Sequence, residues 1–254
     1  MPIIQVQNLT KRYPLANNPA ESFCAVQSVA FEIERGEVFG ILGPNGAGKT
    51  TTLEMLEGLC DIDEGQAFVD EICVNTDPYA VKRIIGVQLQ ANEYFDQLSL
   101  LELLELFAAL YGLSADPLAL LAKVDLEEKA NAKPEALSGG QKQRFSIACA
   151  LDSEPKVLFL DEPTTGLDPQ AKHNLWDLVR ELNDGGMTIV LTTHNMEEAE
   201  LLCQRIAIMD HGEIVAEGSP ADLIALHAPE PRHVAQHGNI EDVFLTLTGH
   251  GLRD

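Results

Sequence analysis

The chain has 254 residues, 40 acidic against 17 basic, for a formal net charge of −23 at pH 7. That balance argues against a nucleic-acid-binding surface and against unaided docking on anionic lipid. Hydrophobic residues make up 45%, enough for a real core in one large or two small domains, and the five cysteines, odd in number and without metal-ligand spacing, fit reduced thiols in the cytosol.

Met1 to Leu9 lacks the basic-then-apolar pattern of a secretion signal. No run approaches the ~20 apolar residues of a membrane span, since the longest apolar helical stretch, Leu100 to Leu110, carries Glu102 and Glu105. Ile4 and Val6 alternate with polar residues as on a half-buried strand, and Ala30–Ile33 and Gln66–Val69 do likewise. These segments are expected to form a small antiparallel sheet beside a main one. The Pro-, Asn- and Ala-rich segment from Tyr13 to Ala25 shows no period and is expected to be a loop.

Glu37 to Leu42 reads as a buried strand and Thr51 to Leu59 as a helix with Leu53, Leu56 and Leu59 on neighbouring faces. Between them Gly43-Pro44-Asn45-Gly46-Ala47-Gly48-Lys49-Thr50 fits G-x-x-x-x-G-K-[ST], a phosphate-binding loop. The glycines let the backbone approach an anion and turn successive N–H groups inward as a nest. Lys49 adds a point charge for the outer phosphates and the Thr50 hydroxyl a ligand for Mg²⁺. The loop opens a helix N-terminus, where the dipole favours negative charge.

Ile84 to Leu89 is the next apolar strand, ending at Gln90. Ser99 with Glu102 forms a capping box, Asp116-Pro117 marks another helix start and Asp125 a third, so residues 92–135 read as a helical insertion. Ser138-Gly139-Gly140-Gln141 caps a helix running to about Asp152. Val157–Leu160 is an apolar strand ending in Asp161-Glu162, and Asp168-Pro169 opens a further helix. Thr188–Leu191 is a buried strand ending at His194, and Asn195 with Glu198 caps the helix after it. Strands alternating with helices give a parallel α/β sheet whose ligands bind at the C-terminal strand ends. Lys49, Gln90, Asp161 and His194 all lie just past such ends, so they are expected to converge on one crevice. Beyond Gly218 come short helical pieces, the last amphipathic, with Ile240, Val243, Phe244 and Leu247 at i, i+3, i+4 and i+7.

Leu137-Ser138-Gly139-Gly140-Gln141 resembles the signature motif of the ATP-binding cassette (ABC) ATPases. In family order it precedes Val157–Glu162, which looks like the Walker B strand, Gly166-Leu167-Asp168, which resembles the D-loop, and His194, which resembles the switch histidine. The resemblance covers about Gln5 to Gly218. It implies a P-loop NTPase fold, a RecA-like parallel core with an antiparallel β subdomain and an inserted α-helical subdomain. Residues 1–218 would be the nucleotide-binding domain and 219–254 a C-terminal extension.

On this reading the cofactors are ATP and Mg²⁺. Asp161, a carboxylate at a buried strand end, holds the metal with Thr50; Gln90 reaches the metal or the attacking water, with Gln88 a rival that aligns less well. Glu162 is the candidate general base, a role typically contributing ~10²–10⁴-fold. The resemblance implies that His194 contacts the γ-phosphate, that Tyr13 stacks on adenine and that Gly43 to Thr51 cradles the phosphates. It also implies that Ser138, Gly139, Gly140, Gln141 and Asp168 complete the pocket of the opposite subunit in a C₂ dimer sandwiching two ATP molecules.

The expected function is the ATPase subunit of a transporter, peripheral on the inner face of the membrane through a separate permease and dimerising with itself or a related subunit. Glu54–Leu59, Gly86–Gln90 and Asp242–Gly249 resemble the branch that exports drugs and other amphiphilic molecules. The alternative is a soluble ABC protein of translation or DNA repair, but such members carry two cassettes or a long coiled coil. A P-loop kinase or GTPase has no use for Leu137 to Gln141.

Overall fold

The computed structural model describes residues 1–15, 18–88, 94–112, 116–227 and 240–248. The chain opens with two long paired strands, β1 (Ile4–Leu15) and β2 (Asn18–Ile33), followed by β3 (Val38–Leu42) and helix α1 (Lys49–Leu56). Next come β4 (Glu64–Val69), β5 (Ile72–Cys73), α2 (Pro78–Lys82) and β6 (Ile85–Gln88). The helices α3 (Leu100–Tyr111) and α4 (Pro117–Lys123) and two short 3₁₀ turns lie between β6 and α5 (Gly139–Leu151). The order then runs β7 (Val157–Asp161), α6 (Pro169–Asp184), β8 (Thr188–Thr193), α7 (Met196–Leu202), β9 (Arg205–Asp210), β10 (Glu213–Gly218), α8 (Pro220–His227) and α9 (Ile240–Thr248).

Two sheets result. The main one has strand order β10-β9-β3-β8-β7-β6, parallel except for the antiparallel edge strand β10, and the smaller one is antiparallel with order β2-β1-β4-β5. The parallel α/β core expected from the sequence is therefore present. Every residue of β3, β7 and β8 is buried, because both faces of this sheet are covered. The faces alternate strictly. Leu42, Leu158, Leu160, Ile189, Leu191 and Ile206 join α3, α5, α6 and α7 in one core. Phe39, Ile41, Phe159, Val190, Ala207 and Met209 join α1 and the antiparallel sheet in the other.

Three local expectations change. The described residues from Tyr13 to Ala25 are paired strand rather than loop: Arg12 pairs with Cys24 and Tyr13 with Phe23 across β1 and β2. Register shifts between Val6 and Leu9, Leu9 and Lys11, Lys11 and Arg12, and Pro14 and Leu15 break the period-2 pattern, and each such irregularity turns the following side chains out of step. Asp125 starts no α-helix. Its φ is +52°, only a 3₁₀ turn (Glu127–Lys129) follows, and its carboxylate pairs instead with Arg144 at 3.1 Å. Helix α1 begins at Lys49 and ends at Leu56, where Gly58 at φ +65° turns the chain; Leu59 lies beyond it, half exposed. Gln90, the start of the expected helical insertion at residue 92, and the Pro- and His-rich stretch before α9 lie outside the described residues.

The amphipathic C-terminal segment forms α9, and it packs on its own domain. Ile240, Val243 and Phe244 have no exposed surface and belong to the core that includes α7 and α8, and the Ile240 N–H donates to the Glu200 carboxylate. Phe244→Ala should cost about 3–5 kcal/mol. In a chain of this size that corresponds to a fall in Tm on the order of 10 °C, measurable by calorimetry; an unchanged Tm would mean α9 contributes nothing to the fold.

Candidate active site

The loop between β3 and α1 is shaped by what a side chain would strike. Gly48 has φ +102°, and a Cβ there would lie 2.4 Å from the Ala25 carbonyl oxygen. A Cβ on Gly43 would lie 2.2 Å from the Met209 carbonyl oxygen. The loop is thus wedged between β2 and the end of β9. Lys49, the first residue of α1, is only 4% exposed. Its ammonium donates to the carbonyls of Gly43 at 2.9 Å and Pro44 at 3.1 Å and pairs with Glu162 Oε1 at 3.1 Å. All of its N–H donors are therefore engaged.

The ends of β7 and β8 supply the acids. Asp161 closes β7; the Thr50 hydroxyl donates to its two oxygens at 3.2 and 3.1 Å, and the Thr192 hydroxyl donates to it as well. Glu162, one residue on, stands at φ +47°, a left-handed conformation that costs a non-glycine residue about 1–2 kcal/mol. Its N–H donates to the Thr192 carbonyl at 3.2 Å and faces the Thr192 hydroxyl at 3.0 Å, which holds the turn. Its second oxygen lies 3.1 Å from His194 Nδ1 and accepts from the Thr165 hydroxyl at 3.1 Å. Burial alone pushes the Glu162 carboxyl up, but Lys49 and His194 outweigh it and hold the group below the usual carboxylate range. Glu162 is consequently ionised at neutral pH, as a proton acceptor must be.

These groups open on a cleft of about 300 Å³ lined by Tyr13, Phe23, Asn45, Gly46, Lys49 and Glu162, among others. Tyr13 and Phe23 are cross-strand partners at its mouth, 38% and 53% exposed. The Lys11 ammonium lies 5.5 Å from the Tyr13 ring centroid, and the Tyr13 hydroxyl lies 3.7 Å from Cys60 Sγ.

The remaining expected residues lie elsewhere. Ser138 caps α5 in a capping box with Gln141, and a Cβ on Gly140 would lie 2.8 Å from Ala171 Cβ, so α5 and α6 touch there. Asp168 caps α6 by accepting from the Ala171 N–H at 2.9 Å. Neither Ser138 to Gln141 nor Asp168 lines the cleft. Gln88 ends β6 and is buried. Three residues of the site escaped the sequence reading. Phe23 was hidden by the irregular strand around it; Thr165 lies in a turn with no pattern. Thr192 had a readable signal, a pair of polar residues closing an apolar strand just before His194.

A hydroxyl and a carboxylate at one point, Thr50 and Asp161, form a hard-oxygen donor pair of the kind Mg²⁺ takes alongside phosphate oxygens and water. No cluster of three His, Cys, Asp or Glu side chains among the described residues offers a metal a cage of its own.

The family profile described as ABC transporter matches residues 26–165. The chain is 36% identical to the Nod factor export ATP-binding protein I of Burkholderia pseudomallei (strain 1710b), covering 99% of this chain and 98% of that protein. It is 38% identical to the linearmycin resistance ATP-binding protein LnrL of Bacillus subtilis (strain 168), covering 87% and 70%. A dimeric ATP-binding cassette in a post-hydrolysis state with ADP and Pi bound superposes with a TM-score of 0.76 at 32% identity, covering 85% of this chain and 98% of that one. An ATP-binding subunit of an ABC transporter superposes with a TM-score of 0.79 at 28% identity, covering 97% and 99%.

Gly48→Ala should abolish nucleotide binding without unfolding the chain. The added Cβ strikes backbone and must adopt a positive φ, so the nest cannot form. Calorimetric titration with ATP should show affinity reduced at least ~100-fold (about 2.7 kcal/mol), with the far-ultraviolet circular dichroism unchanged; retained affinity would refute this account of the loop.

Proposed function

This chain belongs to the ABC transporter family, and we propose that it is the ATP-hydrolysing subunit that powers export through a separate membrane permease. The observation that carries the chemistry is the meeting of Lys49, Thr50, Asp161, Glu162 and His194 at the ends of β3, β7 and β8. Lys49 and the loop amides receive the triphosphate, and a phosphate oxygen takes the place of Glu162 beside the ammonium. Released from Lys49, Glu162 accepts a proton from the water whose oxygen bonds to the γ-phosphorus, while the bond to the bridging oxygen breaks and ADP leaves. His194, already within hydrogen-bond distance of Glu162, orients that carboxylate through Nδ1–H and, as the imidazolium, donates through Nε2–H to the γ-phosphate. Thr50 and Asp161 would hold Mg²⁺, which when bound neutralises charge on the outer phosphates. Tyr13 lies at the cleft mouth, where a base stacks.

ABC cassettes work as dimers with membrane permease components. In this chain the helix N-terminus at Ser138–Gln141 is a second anion site that does not line the chain's own cleft. Our reading is an ATP-dependent homodimer in which this turn and Asp168 close the partner's cleft. Residues 1–218 act as the cassette and 219–254 as an extension, of which α8 and α9 pack on it. Among the described residues no helix is long and apolar enough to cross a membrane, so the permease supplies the membrane contact. Export follows the relatives, one named for Nod factor export and one for linearmycin resistance. The permease docks through a cytoplasmic helix beside α3, where Phe95, Leu98 and Leu106 line a groove of about 400 Å³.

Glu162→Gln should keep ATP affinity within a few-fold while cutting hydrolysis ~10²–10⁴-fold, because an amide cannot accept the proton. Gel filtration with ATP and Mg²⁺ should then show a trapped dimer that is absent without nucleotide. Near wild-type turnover would remove Glu162 from its role, and dimerisation independent of ATP would remove the sandwich. Reconstituted with its permease in vesicles, the chain should drive substrate outward with respect to the ATPase face; uptake dependent on an external binding protein would overturn export while leaving the ATPase intact.

A further inference from the structure

A second groove of about 320 Å³ adjoins the docking site, lined by Leu59, Lys82, Tyr94, Phe107 and Tyr111 and floored by Glu57. Leu59 and Tyr111 are each about half exposed at its rim, an apolar patch of the kind that marks an interaction surface. Glu57 is the anomaly in it. It caps the C-terminal end of α1 and is 3% exposed, yet no hydrogen bond or cation meets its carboxyl among the described residues. Burial, and after it the charges of Asp161 and Glu54, push this group up to about 8. The basic side chain in the groove, Lys82, lies with its ammonium 5.7 Å over the Tyr79 ring, engaged at the surface. A carboxyl this buried, with no hydrogen bond or ion pair to the described residues of its own fold, contributes no polar contact to it.

We propose that Glu57 is the receptor for a lysine or arginine on the cytoplasmic helix of the permease, whose remaining groove-facing side chains are apolar or aromatic. This rests on the reading that the permease docks beside α3. The groove supplies the complement of such a helix: aromatic walls for its apolar face and one nearly buried carboxyl, open to the groove, for its cation. Arrival of the cation ionises Glu57 and satisfies its oxygens, giving a charge pair that is strong because water is excluded. The position also carries consequence. Glu57 closes the helix whose first residue is Lys49, about 12 Å away along a rigid element, so the pair fastens the permease to the phosphate-binding helix itself.

The test uses the full chain in complex with the permease that co-purifies from detergent-solubilised membranes, timing dissociation from immobilised chain near physiological salt. Glu57→Gln should speed dissociation at least ~10-fold and Glu57→Lys should prevent assembly, while the isolated Glu57→Gln chain keeps its Tm and basal ATPase rate. Reversing the charge of one basic residue in the permease helix should weaken the wild-type complex, and Glu57→Lys should restore it. Phe95→Asp serves as the control for docking at this face. If Phe95→Asp releases the permease while Glu57→Gln and Glu57→Lys do not, the docking reading stands and the charge pair is wrong. If Phe95→Asp leaves the complex intact, docking at this face is wrong and the pair falls with it. The permease-side substitutions decide the matter even if the Glu57 variants misfold: a complex indifferent to every basic residue of that helix overturns the proposal.

Discussion

A lysine ammonium buried at the start of a helix must find anions or carbonyls, and the site is built around how Lys49 does so. It is 4% exposed, held by two carbonyls of its own loop and by Glu162. Taking a charge out of water costs several kcal/mol unless it is paired and hydrogen-bonded, so the loop, the helix and the acid after β7 constrain one another. The carboxylate occupies the position beside the cation that a phosphate oxygen will take. On the proposed mechanism, nucleotide binding exchanges one anion for another and frees the acid to act on the attacking water.

The acids themselves are aimed by Thr192. Its hydroxyl donates to Asp161, and its oxygens meet the Glu162 N–H. One buried residue of β8 thereby fixes Asp161 and Glu162, the proposed metal ligand and base, at the end of β7, the neighbouring strand. The left-handed backbone at Glu162 persists because the surrounding hydrogen bonds over-determine it. That turn lets consecutive carboxylates serve different ends, one toward Thr50 and one toward Lys49 and His194. Such an arrangement depends on a parallel sheet whose strand ends lie side by side.

The proposed second anion site lies away from the first, at the start of α5, where a capping box already satisfies Ser138 and Gln141. Glu57, which lines the groove beside α3, closes the helix that begins at Lys49. Transport requires the permease to bind the ATP-bound and ATP-free arrangements with different free energies. A rigid helix that begins at the phosphate-binding loop and ends at the proposed docking groove is a direct way for one event to bias the other.

Residue type and order determined the phosphate loop, the acids at the end of β7, the histidine after β8 and the caps of α3, α4, α5, α6 and α7. Each is a local rule: glycine where backbone meets anion, Ser, Asp or Asn where helix N–H groups need an acceptor, an apolar run where a strand is covered on both faces. The antiparallel pairing of Tyr13 with Phe23 was decided only in three dimensions, because register shifts erased the alternation on which a strand is read. Asp125 starts no α-helix, since its backbone turns left-handed at φ +52°, and its carboxylate meets Arg144, a partner from α5 that no local pattern announces. Tertiary structure also determined that Lys49 and His194 both hold Glu162 and depress its carboxyl, and that Glu57, in the Glu54–Leu59 segment, lies buried on the floor of a groove. Charges separated by many residues interact through distance and burial, and neither is written in the spacing of one segment.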